Sequence, residues 1–259
     1  MAIEITMQDK GVRVVTMNYP PVNALPVQGW FDVAAAMRDA GNDPETRVVI
    51  LRAEGRGFNA GVDIKEMQRI EGFSGLLGAN RGCYEAFKAI YECPVPVISV
   101  VNGFCLGGGV GLVGNSDVII ASDDAYFGVP EVDRGALGAA THLARLVPPH
   151  LLRGMYFSAR TITAQRLHEL GSVDQVVPRE RLDEAALEFA GQIAAKDTRV
   201  IRAAKEALNG IDPIDVNRSY RFEQGFTFEL NLAGVADAGA RGASRWRWCA
   251  SSCAPALKT

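Results

Sequence analysis

Val97-Ile98-Ser99-Val100-Val101-Asn102-Gly103-Phe104-Cys105-Leu106-Gly107-Gly108-Gly109-Val110-Gly111-Leu112-Val113 is the stretch on which the reading of this chain turns. Its opening apolar, β-branched run predicts a strand buried on both faces, the habit of a parallel sheet. The three glycines that follow, with Val110 to Val113 behind them, predict a turn that opens into a helix. Glycines there let another chain or a ligand come close to backbone N–H groups, and a helix start leaves donors free for an anion or a developing oxyanion. Tight helix packing would ask for the same glycines.

Upstream, Arg56-Gly57-Phe58-Asn59-Ala60-Gly61-Val62-Asp63 repeats the arrangement: a strand at Val48 to Ala53, a glycine-bearing loop, and a helix starting near Asp63. Two such loops on neighbouring strands would each aim one N–H at a shared point, which is how a carbonyl oxygen turning negative is held. Asp63 taken alone reads as a helix N-cap. Gly109, Gly111 and Gly114 also spell GxGxxG. A dinucleotide fold, however, places the first glycine directly at the end of its first strand, whereas here several residues intervene and two strands with a long helix come before.

Working outward, further strands are expected at Val12 to Asn18, Val95 to Asn102, Val118 to Ala121 and Val173 to Val177. Helical patterns lie between them at Gln28 to Ala40, Asp63 to Tyr91, Val110 to Asn115 and Gly138 to Leu146, which argues for an α/β core with crossover connections. After Pro178 the pattern turns helical, over Arg181 to Ala195, Thr198 to Leu208 and Pro213 to Leu230, with Asp212-Pro213 expected to cap the last of these. From Ala238 the chain reads AGARGASRWRWCASSCAPALKT, which holds two of the three tryptophans and two of the five cysteines without helical or strand period. That tail is expected to be irregular. The division that follows is a core over 1–195, a helical region over 196–237 and an atypical tail over 238–259.

The 259 residues carry 48% hydrophobic and 22% charged side chains, enough for one sizeable core. A net charge of −3 leaves no footprint for nucleic acid, and no apolar run approaches the roughly 20 residues that cross a bilayer. Neither partner is expected, and a cytoplasmic location is. Five cysteines without ligand spacing fit reduced thiols, and His142, His150 and His168 are too dispersed for a metal site. The absence of GxSxG disfavours a triad hydrolase.

Three ordered motifs now resemble one family. They are Gly57-Phe58-Asn59-Ala60-Gly61-Val62-Asp63-Ile64-Lys65-Glu66-Met67, Val101 to Gly109, and Phe127-Gly128-Val129-Pro130-Glu131. They are similar to the crotonase superfamily, the enoyl-CoA hydratase/isomerase group. The resemblance runs from about Val12 to Asp237. It implies a spiral of ββα repeats with C-terminal helices that trimerise, trimers pairing into hexamers. Coenzyme A would enter only as part of an acyl-CoA substrate, with no permanently bound cofactor or metal.

Carried over, the family's oxyanion hole falls on the backbone N–H groups of Ala60 and Gly108. The coenzyme would lie against Val22 to Ala24 and against Asp63 and Ile64, with Lys65 near phosphate. Hydratases use two glutamates; here Gly111 stands at the first position and Glu131 fills the second, and His142 replaces a glycine beside the catalytic water. A single carboxylate resembles isomerases, decarboxylases and carbon–carbon hydrolases of the superfamily. Further stretches, including Tyr19 to Ala24, Asn80 to Cys83 and Glu131 to Arg145, look like the members that open a steroid-derived bicyclic CoA thioester by hydrolysis. Glu131 would then be the base and the small Gly111 would leave room for a fused ring. The readings left open beside it are an enoyl-CoA hydratase or isomerase for a less bulky acyl group, and a non-catalytic acyl-CoA-binding module. His142 reads equally as a helix-packing residue.

Overall fold

The structure, a computed structural model, describes residues 2–235. The chain opens with β1 (Ile3–Gln8) and β2 (Val12–Met17), an antiparallel pair, and continues through α1 (Val27–Asn42) to β3 (Val48–Ala53). A short α2 (Ile64–Met67) and a long α3 (Ser74–Tyr91) lead to β4 (Val97–Val101) and β5 (Phe104–Leu106), then α4 (Gly108–Val113). The strands β6 (Val118–Ser122) and β7 (Tyr126–Gly128) follow, then a 3-10 turn at Pro130–Arg134, α5 (Ala140–Leu143) and α6 (Pro149–Ser158). The remainder is β8 (Ile162–Thr163), α7 (Ala164–Glu169), β9 (Gln175–Val177), α8 (Leu182–Ala194), α9 (Thr198–Ile211) and α10 (Val216–Leu232).

One sheet has the order β1-β2-β3-β4-β6-β9, parallel from β2 onward, and a second has the order β5-β7-β8. The repeat is visible in the register. The strands β4 and β6 of the large sheet each hand the chain to a short strand of the small sheet, β5 and β7, which pair in parallel. An isolated parallel bridge between Asn59 and Cys105 extends the small sheet into the loop after β3.

Period-two alternation decides what each face of the large sheet meets. Val48, Ile50, Ile98, Val100 and Ile120 point to the side covered by α8, whose Leu182, Ala186, Ala190 and Ala194 recur at helical spacing. Val49, Leu51, Val97 and Val101 point to the other side, against Trp30, Met37, Phe87 and Ile90 of α1 and α3. Both faces are buried, as the continuous apolar run of β4 predicts.

Several expectations change. The helix expected over Asp63 to Tyr91 is broken into α2 and α3 by a turn containing Gly72, whose φ is +68°. The cap of α10 is Asp215, which accepts the Arg218 N–H at 2.9 Å, while Asp212 accepts the Ile214 N–H in the connecting turn. The helix expected over Gly138 to Leu146 shrinks to the single turn of α5. The strands β1, β5, β7 and β8 and the helices α6 and α7 were not anticipated; the strands of the small sheet are two or three residues long, too short for a period to register. The tail from Ala238 lies outside the described residues.

Candidate active site

Two loops meet at the C-terminal ends of β3 and β4. Asn59 accepts the Leu106 N–H at 2.9 Å, and Phe58 donates to the Phe104 carbonyl at 2.9 Å. Asn59 is buried and braces its own loop: its side-chain amide donates to the Asn23 carbonyl, and its Oδ1 accepts the Gly61 N–H at 2.7 Å. Asn23, at φ 51°, donates in turn to the carbonyls of Glu54 and Gly57 at 2.7 and 2.9 Å. These clamps bring the two loops so close that a Cβ on Gly61 would sit 3.3 Å from the Gly108 nitrogen.

Ala60 and Gly108 are both partly exposed, and among the described residues neither N–H has a hydrogen-bond acceptor. Gly108 is the first residue of α4, where intrahelical acceptors are lacking. Trp30 backs it, fully buried and with no partner for its Nε1. The result is a pair of free donors on adjoining loops, the arrangement suited to a developing oxyanion.

Glu131 stands next to them. The φ of +56° at Gly107 favours glycine, and a methyl group there would push Glu131 Oε1 out of its place. Glu131 Oε2 is shut off from solvent and has no hydrogen-bond partner. Burial pushes this carboxyl up from 4.5 to about 8, with the Glu223 charge adding to it and Arg134 opposing.

The segments expected to hold coenzyme A are joined by backbone bonds. Leu25 donates to the Gly61 carbonyl at 2.9 Å and accepts the Asp63 N–H at 2.8 Å, so Val22 and Ala24 lie beside Asp63 and Ile64. Asp63 caps α2 through the N–H groups of Lys65 and Glu66, and Ile64 and Lys65 are exposed. Glu66 accepts the Val27 N–H at 2.6 Å and so caps α1 from α2.

Gly111 and His142 belong to a different environment. A Cβ on Gly111 would fall inside the Phe87 ring, so the space expected there for a fused ring is occupied by Phe87. His142 is buried, with its ring 4.7 Å from that of Phe87 and 4.9 Å from that of Tyr220. The Asn115 amide donates to the Gly111 carbonyl at 2.7 Å and to His142 Nδ1 at 2.9 Å, which leaves the proton on Nε2. Burial pushes His142 down to about 3, with Arg145 adding to the shift. It is a neutral packing residue that joins α4 to α5.

Of the apolar side chains at the start of and along α3, Phe73 and Leu77 are exposed and Phe87 is in the core. Asp117 bonds backbone, accepting the Val97 N–H at 2.8 Å, and also pairs with the buried Lys205 at 2.7 Å. Asp133 is exposed. The bracing by Asn23, Asn59 and Trp30 was not legible as such, since it depends on contacts across loops. An asparagine before a glycine-bearing loop was the available signal.

Comparison with known proteins places this geometry. Residues 7–224 match the enoyl-CoA hydratase/isomerase family. The chain is 67% identical over 237 residues to a protein of Rhodococcus jostii described as a (7aS)-7a-methyl-1,5-dioxo-2,3,5,6,7,7a-hexahydro-1H-indene-carboxyl-CoA hydrolase, with 92% of each chain covered. A Mycobacterium tuberculosis protein of the same description is 68% identical, over 92% of this chain and 96% of that one. A solved enoyl-CoA hydratase/isomerase from Xanthobacter autotrophicus superposes with a TM-score of 0.83 at 28% identity, covering 95% of this chain and 97% of the other. The chain therefore belongs to the enoyl-CoA hydratase/isomerase family and has its crotonase fold.

Proposed function

We propose that this enzyme hydrolyses a ring carbon–carbon bond of a bicyclic, ketone-bearing CoA thioester, with Glu131 as the base and the Ala60 and Gly108 N–H groups as the oxyanion hole. The observation that carries this reading is one carboxylate with a solvent-excluded, unpaired oxygen beside two free N–H donors, with the Phe87 ring covering the position where a second carboxylate would stand. A lone base suits addition of water to a ketone better than the paired-carboxylate hydration of an isolated double bond. The two relatives at 67% and 68% identity are described as hydrolases of such a thioester.

The steps balance on these residues alone. Glu131 takes a proton from water as the oxygen adds to the ring ketone carbon. The tetrahedral alkoxide collapses to a carboxylic acid and breaks the bond to the ring carbon. The electron pair passes through the conjugated system to the thioester oxygen, where the Ala60 and Gly108 donors hold the enolate. The proton on Glu131 then returns to carbon, so the net change is the addition of one water. The coenzyme would run along Val22, Ala24, Asp63 and Ile64, with Lys65 available to a phosphate.

Assembly into trimers or hexamers is part of the same proposal. It is supported by exposed apolar side chains on α9 and α10, among them Leu208, Ile211, Phe222 and Leu232. Light scattering tests it, a monomer being the contrary result.

The test of the activity is to incubate the protein with the bicyclic thioester, with crotonyl-CoA and with a β,γ-enoyl-CoA, and to follow mass. Gain of water with ring opening on the first alone supports the proposal. Double-bond migration in the third makes it an isomerase, and binding without turnover of any makes it an acyl-CoA-binding module.

A further inference from the structure

The start of α5 is held by groups from far along the chain. Ala139 precedes the helix at φ 60° with no side-chain cap of its own, a left-handed backbone that a non-glycine residue keeps only where its surroundings impose it. The missing caps come from α10. Glu223 accepts the Ala140 N–H at 3.0 Å through Oε1 and the Thr141 N–H at 3.3 Å through Oε2. Tyr156 of α6 donates its hydroxyl to Glu223 Oε1 at 2.8 Å and accepts the Gly138 N–H at 3.1 Å. One turn further along α10, Thr227 donates to the Leu137 carbonyl at 2.8 Å.

The segment held in this way, 137–141, is a wall of the Glu131 site. A Cβ on Gly138 would lie 3.5 Å from Glu131 Cγ and 3.6 Å from its Oε1, with Gly107 against the same oxygen. Ala136 donates to the Glu131 carbonyl at 3.1 Å, so the turn that carries the carboxylate and the braced segment are directly joined. Leu137, Ala140 and Thr141 line a cleft of about 490 Å³ together with Tyr156 of α6 and Phe222, Glu223 and Phe226 of α10, so the links of Tyr156, Glu223 and Thr227 span a gap that apolar packing does not fill.

We infer that Glu223, acting through Tyr156 and the 137–141 segment, is a positioning residue for Glu131. The inference rests on the reading of Glu131 as the base. It gives α10 a part in chemistry besides any part in assembly. Glu223 is buried, and its carboxylate spends its acceptor capacity on two N–H groups and one hydroxyl, which is what a side chain fixing backbone needs. A displaced segment would let the Glu131 carboxylate swing away from the reacting water without altering the coenzyme groove near Val22 and Asp63. Loss of placement on this scale costs rate rather than binding.

The experiment is a double-mutant cycle on hydrolysis of the bicyclic thioester. Glu223→Gln keeps the volume but turns one acceptor into a donor, and Tyr156→Phe removes only the hydroxyl. Each is expected to lower kcat about 10-fold to 100-fold with KM within about 2-fold. In a Glu131→Gln background each should cost less than about 2-fold further, because the residue it positions is already inert. Lys205→Met, which breaks the distant pair with Asp117, serves as a destabilised control and should keep its kcat below its melting transition. Wild-type kcat in both Tyr156→Phe and Glu223→Gln, or losses that multiply fully with Glu131→Gln, would overturn the inference while leaving the base intact. Near-normal turnover in Glu131→Gln alone would instead overturn the assignment of the base, and this inference with it. If Glu223→Gln does not fold, Tyr156→Phe reads the same link.

Discussion

The Phe87 ring occupies the volume that any side chain at Gly111 would need. Phe87 reaches there from α3 and sits edge-on to Trp30, 5.7 Å between centroids, which in turn backs Gly108. A single aromatic side chain therefore separates the oxyanion loop from His142 and removes room for a second carboxylate. Gly111→Ala is expected to destabilise the fold by about 1–3 kcal/mol through overpacking. Combined with Phe87→Leu it should cost less than the sum of the two, because both act on one volume. Urea denaturation of the four proteins in the cycle measures this; strict additivity would contradict the packing described.

Glu131 makes stability depend on pH in an unusual sense. Burial raises its folded value from 4.5 to about 8, so between these values the folded state binds more protons than the unfolded chain. The stability from the neutral form is fully present below pH 4.5 and is lost as pH rises through about 8. Glu131→Gln cannot ionise, so it should match the wild type near pH 5 and melt about 5 °C higher near pH 9. Calorimetry across that range checks the sign. A wild type equal to the variant at every pH would mean the carboxylate is not desolvated.

His142 acts in the opposite sense. Its folded value is pushed down to about 3 from 6.5, so the folded state resists protonation, and stability from the neutral ring fades as pH falls through that window. His142→Leu removes the titrating group while leaving one Asn115 N–H unpaired, at a cost of about 1–3 kcal/mol near pH 7. The acid slope of stability should flatten, and the pH profile of kcat should keep its shape. A lost limb in that profile would place His142 in the proton-transfer path.

How far the site was legible follows from the range of the contacts. Ala60, Gly108 and Glu131 sit within contiguous motifs that resemble the family's, and that resemblance assigns them, whereas spacing alone shows only two glycine-bearing loops that could share a point. The split of α2 from α3 was hidden because Arg69, Ile70 and Glu71 continue a helical pattern up to Gly72. The Gly111 environment was misread because the filling side chain, Phe87, lies on another helix and nothing local links them. Glu223 was invisible for the same reason: its partners Ala140 and Thr141 are more than eighty residues away.

The buried Lys205, paired with the partly exposed Asp117, ties α9 to the edge where β4 begins, since Asp117 also accepts the Val97 N–H. Lys205→Ala leaves a carboxylate that is 23% exposed without its cation. A loss of about 2 kcal/mol is expected, below the full cost of an isolated buried charge because water reaches the carboxylate. It should leave kcat unchanged, and denaturation beside steady-state kinetics measures both.

The most direct test of the account uses water enriched in heavy oxygen. Wild-type protein turning over the bicyclic thioester should place one heavy oxygen in the newly formed carboxylate and none in the thioester carbonyl, with the coenzyme still attached. Glu131→Gln should give the same product about 10²-fold to 10⁴-fold more slowly, with thioester binding nearly intact. Release of free coenzyme with the label in the acyl carboxylate, or unchanged turnover in Glu131→Gln, would contradict it.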